Sequence, residues 1–196
     1  MDHTRRDALA GSALALSLAA AGCLDFAAGE GPEGPEGTPG TLACEDDGFV
    51  RLDQPFEASI AGTPIETDET ELELSTEGTT ETYGQSLRVV LRNAGEAPAP
   101  TLGEFAYSLQ RETEAGWLDV RGATDGEAAE LPRSEDRIGV SSAYSWDLTL
   151  TEPEIADAVD GVDLTVCPAL GPGTYRFIYW GLVDAPPVGV EFELVG

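Results

Sequence analysis

The chain has no lysine. All ten of its basic residues are arginine, set against 37 aspartates and glutamates, for a net charge of −27 at pH 7. Its one histidine is His3, ahead of every stretch that reads as part of a folded domain. Without lysine there is no Schiff-base chemistry. Without a histidine in the domain there is no Ser-His-Asp or Cys-His catalysis, no HExxH zinc site and no imidazole-ligated copper. No Walker A or dinucleotide-binding glycine pattern occurs. Nucleic-acid binding is excluded too, because phosphate contacts need a basic patch. A carboxylate pair of the glycosidase kind is allowed by residue type, but in so acidic a chain any pair is uninformative. The expectation is a non-catalytic protein with no cofactor.

What the chain has instead is acid, spread along its whole length. Residues 1–22 hold two acids, Asp2 and Asp7, and two bases, Arg5 and Arg6, so the remainder keeps the full −27. Such a charge repels itself and destabilises the compact state at low ionic strength. At molar salt the Debye length falls to about 3 Å and the repulsion is screened. The composition resembles that of secreted proteins of halophilic archaea. A dedicated acidic face for a basic partner is the other reading, and the even spread of the acids argues against it.

The first 23 residues read as an address and an anchor. Arg5 and Arg6 form a short basic segment, Ala8 to Ala21 an apolar one, and small residues follow, the pattern of a secretory signal. A spanning helix needs about 20 apolar residues, so this run is too short to be one. The paired arginines resemble a twin-arginine export signal, which implies folding before export. Ala20-Ala21-Gly22-Cys23 resembles a lipoprotein box, which implies cleavage before Cys23 and lipidation of its thiol. Two acyl chains give stable anchoring where one gives marginal binding. The plainer alternative is an ordinary secretory signal in which Cys23 has no role. The implied place is the extracellular face of the cell membrane, held there by the lipid on Cys23.

Three parts follow: a signal over 1–22, a lipidated cysteine and stalk over 23–45, and a domain over 46–196. Within the stalk, Gly31 to Gly40 runs through three Gly-x-y triplets, too few for a collagen triple helix. A semi-rigid polyproline-II spacer at about 3.1 Å per residue places the domain up to roughly 60 Å from the lipid over residues 24–43.

From Asp46 onward the pattern is all-β. Leu72 and Leu74 alternate with Glu71 and Glu73, and Leu87, Val89 and Leu91 with Arg88 and Arg92. Phe105, Tyr107 and Leu109 alternate with polar residues, as do Tyr144, Trp146, Leu148 and Leu150, and Val188, Val190, Phe192 and Leu194. Period-2 runs between Gly/Pro/Asn clusters put one face on a core and the other in water. About seven such strands predict an antiparallel β-sandwich. The helix signal is confined to Pro153–Val159, a turn or two stopped by Gly161.

Leu170-Gly-Pro-Gly-Thr-Tyr175 places a tyrosine at the entry of a late strand and resembles the tyrosine corner of immunoglobulin-like (Ig-like) domains. With Leu87 to Asn93, Tyr107 to Arg111, Gly116-Trp117 and Pro172 to Phe177, it resembles the bacterial Ig-like domains of many surface lipoproteins, over residues 66–196. The resemblance implies a binding or scaffolding module and brings no catalytic residues. The antibody-type Cys…Trp…Cys framework is missing.

With Cys23 lipidated, Cys44 and Cys167 remain as an even pair in an exported chain. A bridge between them is expected; two independent thiols are the alternative, since sequence does not set the Cα spacing a disulfide needs. Asp157, Asp160 and Asp163 are of the residue type that ligates Ca²⁺, but their spacing matches no calcium loop, so no metal is expected. In Tyr175 to Leu182 both strand faces are apolar. Ile178, Trp180 and Leu182 therefore form either an exposed partner surface or a face covered by the Pro186-Pro187 loop or the segment after Cys44.

The function expected is a surface-anchored lipoprotein whose Ig-like domain is a non-catalytic interaction or envelope-structural module in high salt, with an unknown protein partner. The alternative is an accessory subunit docking to an exported enzyme or transporter. A solute-capturing lipoprotein fits poorly, because such proteins use two α/β lobes and a much longer chain.

Overall fold

The computed structural model describes residues 31–53, 55–56, 59–66 and 70–196. In chain order the elements begin with β1 (Val50–Arg51), β2 (Ile65–Glu66), β3 (Glu71–Thr76), β4 (Thr80–Thr82), β5 (Ser86–Asn93), β6 (Ala99–Thr101) and β7 (Tyr107–Thr113). They continue with β8 (Gly116–Asp119), β9 (Arg121–Ala123), β10 (Asp136–Ile138), β11 (Ala143–Thr149), α1 (Glu152–Ala156), β12 (Thr165–Val166), β13 (Gly173–Tyr179) and β14 (Val188–Val195). The chain is all-β and its strands build a sandwich. One sheet has the order β11-β5-β3-β2 and the other β4-β14-β13-β7-β8. All pairs are antiparallel except β4 with β14. After β3 the chain passes Gly78 and changes sheets, which closes one side of the sandwich. Two smaller sheets, β1-β9-β12 and β10-β6, flank it.

The strands that show clean alternation in sequence are those of the four-stranded sheet. Leu72, Leu74, Leu87, Val89, Leu91, Trp146 and Leu148 are buried, and the residues between them are exposed or half-buried. Opposite them stand Tyr107, Leu109, Tyr175, Phe177, Tyr179, Phe192 and Leu194. The Trp146 ring centre lies 4.9 Å from Phe177, 5.5 Å from Tyr179 and 6.1 Å from Tyr107, so the core is knitted by aromatic pairs across the gap. Tilted pairs at this spacing add roughly 0.5–1.5 kcal/mol each beyond area burial.

The tyrosine corner is present. The Tyr175 hydroxyl donates to the Gly171 carbonyl at 2.8 Å and accepts from the Gly171 amide at 3.2 Å. The helix is shorter than the sequence pattern suggests: α1 is one turn, and Val159 lies in the irregular stretch that Gly161 ends at positive φ.

The five-stranded sheet departs from the half-wet pattern. Its outward residues Ser108, Gln110 and Ile178 are buried as thoroughly as its inward ones. The cover is the chain's own amino-terminal part. Ala61 donates its amide to the Pro187 carbonyl at 2.8 Å, and Ile60 lies beside Ile178 where Gly189 has no side chain. A Cβ on Gly189 would stand 3.0 Å from the Ile60 methyl, so glycine there makes room for the cover.

The segment read as a stalk is also part of the domain from residue 31 on. Gly34 and Gly37 donate to the carbonyls of Leu170 (2.7 Å) and Pro172 (2.9 Å), and the Pro39 carbonyl accepts from Glu114. A Cβ on Gly34 would collide with the Ala169 carbonyl. Arg111, 1% exposed, donates through Nη2 to the carbonyls of Pro35, Gly37 and Pro172. The physical reason is that a Gly/Pro run with few hydrogen bonds of its own is equally suited to lying along another surface, and a buried guanidinium needs the carbonyls it offers. Boundaries of 23–45 and 46–196 therefore shift, the folded unit starting by Gly31.

Candidate functional site

The strands give the sandwich two distinct ends. At one, β13 begins at Gly173, β14 ends at Val195, and α1 packs beside Leu170. Glu152 holds this end together, accepting from the Tyr83 hydroxyl at 2.5 Å and the Leu170 amide at 2.7 Å. The amino-terminal segment enters here, with Pro32 against Gly196. At the other end lie the connections β5–β6–β7, β10–β11 and β13–β14. Asn93, fully buried, organises them: its amide donates to Ala97 (2.8 Å) and Ile138 (3.0 Å), and its oxygen accepts from Gly95 (3.0 Å). Tyr144 donates to Asp136 at 2.6 Å and shares a hydrogen bond with Thr101 at 2.8 Å. Burial, followed by the Asp136 carboxylate, pushes the Tyr144 hydroxyl up to about 12, and the same hydrogen bond lowers Asp136.

Arg5, Arg6 and Cys23 lie outside the described residues. Cys44 and Cys167 are bridged, with Cα atoms 5.7 Å apart. Next to the bridge, Arg51 donates to the carbonyls of Asp119 (2.5 Å) and Leu42 (2.7 Å), and its Nη2 sits 3.6 Å from the Cys44 sulfur. Burial lowers the Arg51 pKa and Asp119 partly offsets that. Asp119 itself is committed to Arg121, with Oδ1 3.0 Å from Nε and Oδ2 3.1 Å from Nη2, both side chains buried. Among the described residues no group of three His, Cys, Asp or Glu side chains is placed to hold a metal ion; Asp157, Asp160 and Asp163 do not converge. Nor is any helix among them long and apolar enough to cross a membrane.

Ile178, Trp180 and Leu182 do not form an exposed surface. They are 0%, 8% and 6% exposed. β13 is central in its sheet, and the segment after Cys44 covers its outer face, so the apolar residues of both faces are buried. A recess of about 200 Å³ lies over Trp180, walled by Leu52, Leu131 and Ser108 and rimmed by Asp53, Glu130 and Arg133. The Arg133 guanidinium stacks 5.0 Å from the Trp180 ring centre. The Trp180 indole N–H has no hydrogen-bond partner among the described residues. The sequence pointed to Trp180 through its place in an apolar run but gave no sign of Arg133 and Glu130, which sit in an irregular stretch without period. Arg133 was findable only as one of very few bases.

The chain matches no family model and no curated protein. Among solved structures, a β-glucosidase from Listeria innocua aligns over 65% of this chain at 16% identity and a TM-score of 0.29. The complex of a Listeria innocua β-glucosidase with glucose aligns over the same share at 14% identity and a TM-score of 0.28. In both, the aligned part is 16% of the other chain, so this chain spans a small fraction of that enzyme's length, and a likeness so slight assigns it nothing.

Proposed function

We propose that the chain is a lipid-anchored, non-catalytic Ig-like module on the extracellular face of the cell membrane, working in high salt and binding at the end of the sandwich farthest from its anchor. The observation that carries this reading is the separation of the two ends. The amino-terminal segment docks beside Leu170, Pro172 and Gly196, while the recess over Trp180 and the Asn93-organised loops lie at the opposite end. Cys23 is eight residues ahead of Gly31, so a fully extended chain sets the domain at most about 29 Å from the lipid. That is about half the reach of a stalk over residues 24–43. The loop end then faces away from the membrane.

Three measurements test the proposal. Mass spectrometry of the mature amino terminus is expected to show diacylglycerol on Cys23; an unmodified, freely released chain overturns the anchor. Crosslinking on intact cells in high salt, followed by pull-down, is expected to recover envelope proteins. A stoichiometric exported enzyme or transporter makes the module an accessory subunit instead. Thermal melts are expected to weaken at about 0.1 M relative to about 3 M KCl; an equal or higher midpoint at low salt removes the halophilic part of the reading.

A further inference from the structure

We propose that the free edge of β11 pairs with the same strand of a second copy of this chain, so that their two four-stranded sheets join into one. This rests on reading the domain as an interaction module and names a partner for it.

Three observations point to this edge. The first is that it is open. β11 ends the order β11-β5-β3-β2. At seven residues it is the longest strand that ends either large sheet; β2 has two, β4 three and β8 four. The Asn93 amide donates to the Ser142 carbonyl and that of Leu150 to Gln85, each at 2.9 Å. In this register the even-numbered residues of β11 bond β5, while Ala143, Ser145 and Asp147 turn their N–H and C=O groups outward. Those groups meet no partner among the described residues. The second is that it is unguarded. Native sheets blunt such edges with proline, lysine or a bulge. β11 has none of these, and Ala143, Ser145 and Asp147 are exposed. The third is that it is complementary to itself. A two-fold axis at Ser145 sets Ala143 opposite the partner's Asp147 and Ser145 opposite its counterpart. The row across the joined sheet then reads Arg92, Ala143, the partner's Asp147 and the partner's Arg88, with no acid facing an acid. The short Ala143 side chain leaves Arg92 a path to that carboxylate, which Arg88 flanks at 4.0 Å within its own chain. Slipped registers are barred at both ends. Ser141 sits at φ 58° and gives its amide to Asn93, and the Thr149 carbonyl accepts from Thr151. Two chains of −27 repel at low ionic strength, and molar salt screens that barrier.

Sedimentation of the full chain in molar KCl is the test, with Cys23→Ser to keep it free of lipid. A paired strand buries less than the roughly 1,200–2,000 Å² of a standard interface. A weak monomer–dimer equilibrium is therefore expected, with Kd between about 10 μM and 1 mM. Ser145→Pro removes an outward N–H that β5 does not use, and is expected to abolish the dimer while keeping the melting temperature. Ala143→Asp faces Arg92 within the chain and the partner's Asp147 across the axis, and is expected to weaken the dimer by about two- to fivefold. If Ser145→Pro lowers the melting temperature, Ala143→Asp decides alone. A chain that stays monomeric up to about 1 mM overturns the proposal. So does a dimer that these variants leave unchanged. An unaltered set of crosslinked companions on cells beside a strictly monomeric chain shows that self-pairing alone has failed, with the interaction-module reading intact.

Discussion

The two sheets of the sandwich share one core and one composition, yet their outer faces have opposite fates. On the four-stranded sheet the outer face is wet. Arg88 stands across from Asp147 in the β5–β11 register, 4.0 Å away, with both side chains more than half exposed. On the five-stranded sheet and its edge the arginines are covered and stacked. Arg111 lies over Tyr175, Arg121 over Tyr107, and Arg176 over Trp117 at 4.2 Å. Arg176 also donates twice to the Gln110 side-chain oxygen, and burial pulls its pKa down to about 10. A planar guanidinium can stack on a ring and still fork its hydrogen bonds to carbonyls; a lysine ammonium cannot do both. The absence of lysine thus has a local meaning. Of the eight arginines among the described residues, Arg51, Arg111, Arg121 and Arg176 are buried or half-buried, while Arg88, Arg92, Arg133 and Arg137 stay exposed.

The comparison breaks most sharply at the disulfide. Cys44→Ser is expected to cost about 5 kcal/mol on the chain-entropy account, since the bridge closes a separation of 123 residues. Denaturant titration in high salt measures it. Hydrogen exchange should show protection falling on the outer face of the five-stranded sheet while the β3–β5–β11 amides keep theirs. Equal loss on both sheets contradicts the idea of a separately pinned cover. Asp119→Ala comes next, at about 3–5 kcal/mol, because it leaves the fully buried Arg121 without its counter-charge. A shift in the denaturation midpoint of well under half that size means that Arg121 finds another partner.

A smaller effect sharpens the picture at the loop end. The folded-state pKa of Tyr144 is raised from 10 to about 12. Between those values the unfolded chain has lost the proton and the folded one keeps it, so stability falls as pH rises through the window. Below pH 10 the contribution is fully present. The stability difference between wild type and Tyr144→Phe isolates it, and should shrink across pH 10 to 12; a flat difference removes the Tyr144–Asp136 contact from the account. Smallest of all is Arg88→Ala on the wet sheet. In molar salt it should change stability by no more than about 0.5 kcal/mol, and a larger loss in a melt means that this face is covered as well.

The same contrast explains what was legible in the sequence. Leu72–Leu74, Leu87–Leu91 and Trp146–Leu150 announce their strands because one side of each meets water and composition records it. Ser108 and Gln110 read as water-facing by the same rule and are buried. The information that covers them is non-local: it lies in Leu52, Phe56 and Ile60, apolar residues spaced four apart, without the period-2 alternation that marks a strand. The Gly/Pro run before Gly40 fails for a related reason. Its composition describes an extended chain but not whether that chain is free or laid on a surface, and only Arg111, with its need for carbonyl acceptors, decides. At the loop end Trp180 was visible and its neighbours Glu130 and Arg133 were not, because an irregular stretch has no pattern to place them. Tyr175 and its corner were fully legible, since the Pro-Gly turn and the tyrosine are close in sequence.

The bridge between Cys44 and Cys167 also decides how a tug on the amino terminus would travel. Force applied ahead of Gly31 first meets the hydrogen bonds from Gly34 and Gly37 to the Leu170–Pro172 corner, which can be peeled one at a time. It then reaches a covalent stop. Beyond Cys44 the load passes into the segment leading to β13, and the cover over Ile178 and Trp180 carries none of it. A pull on the amino terminus can therefore strain the domain without uncovering its own sheet.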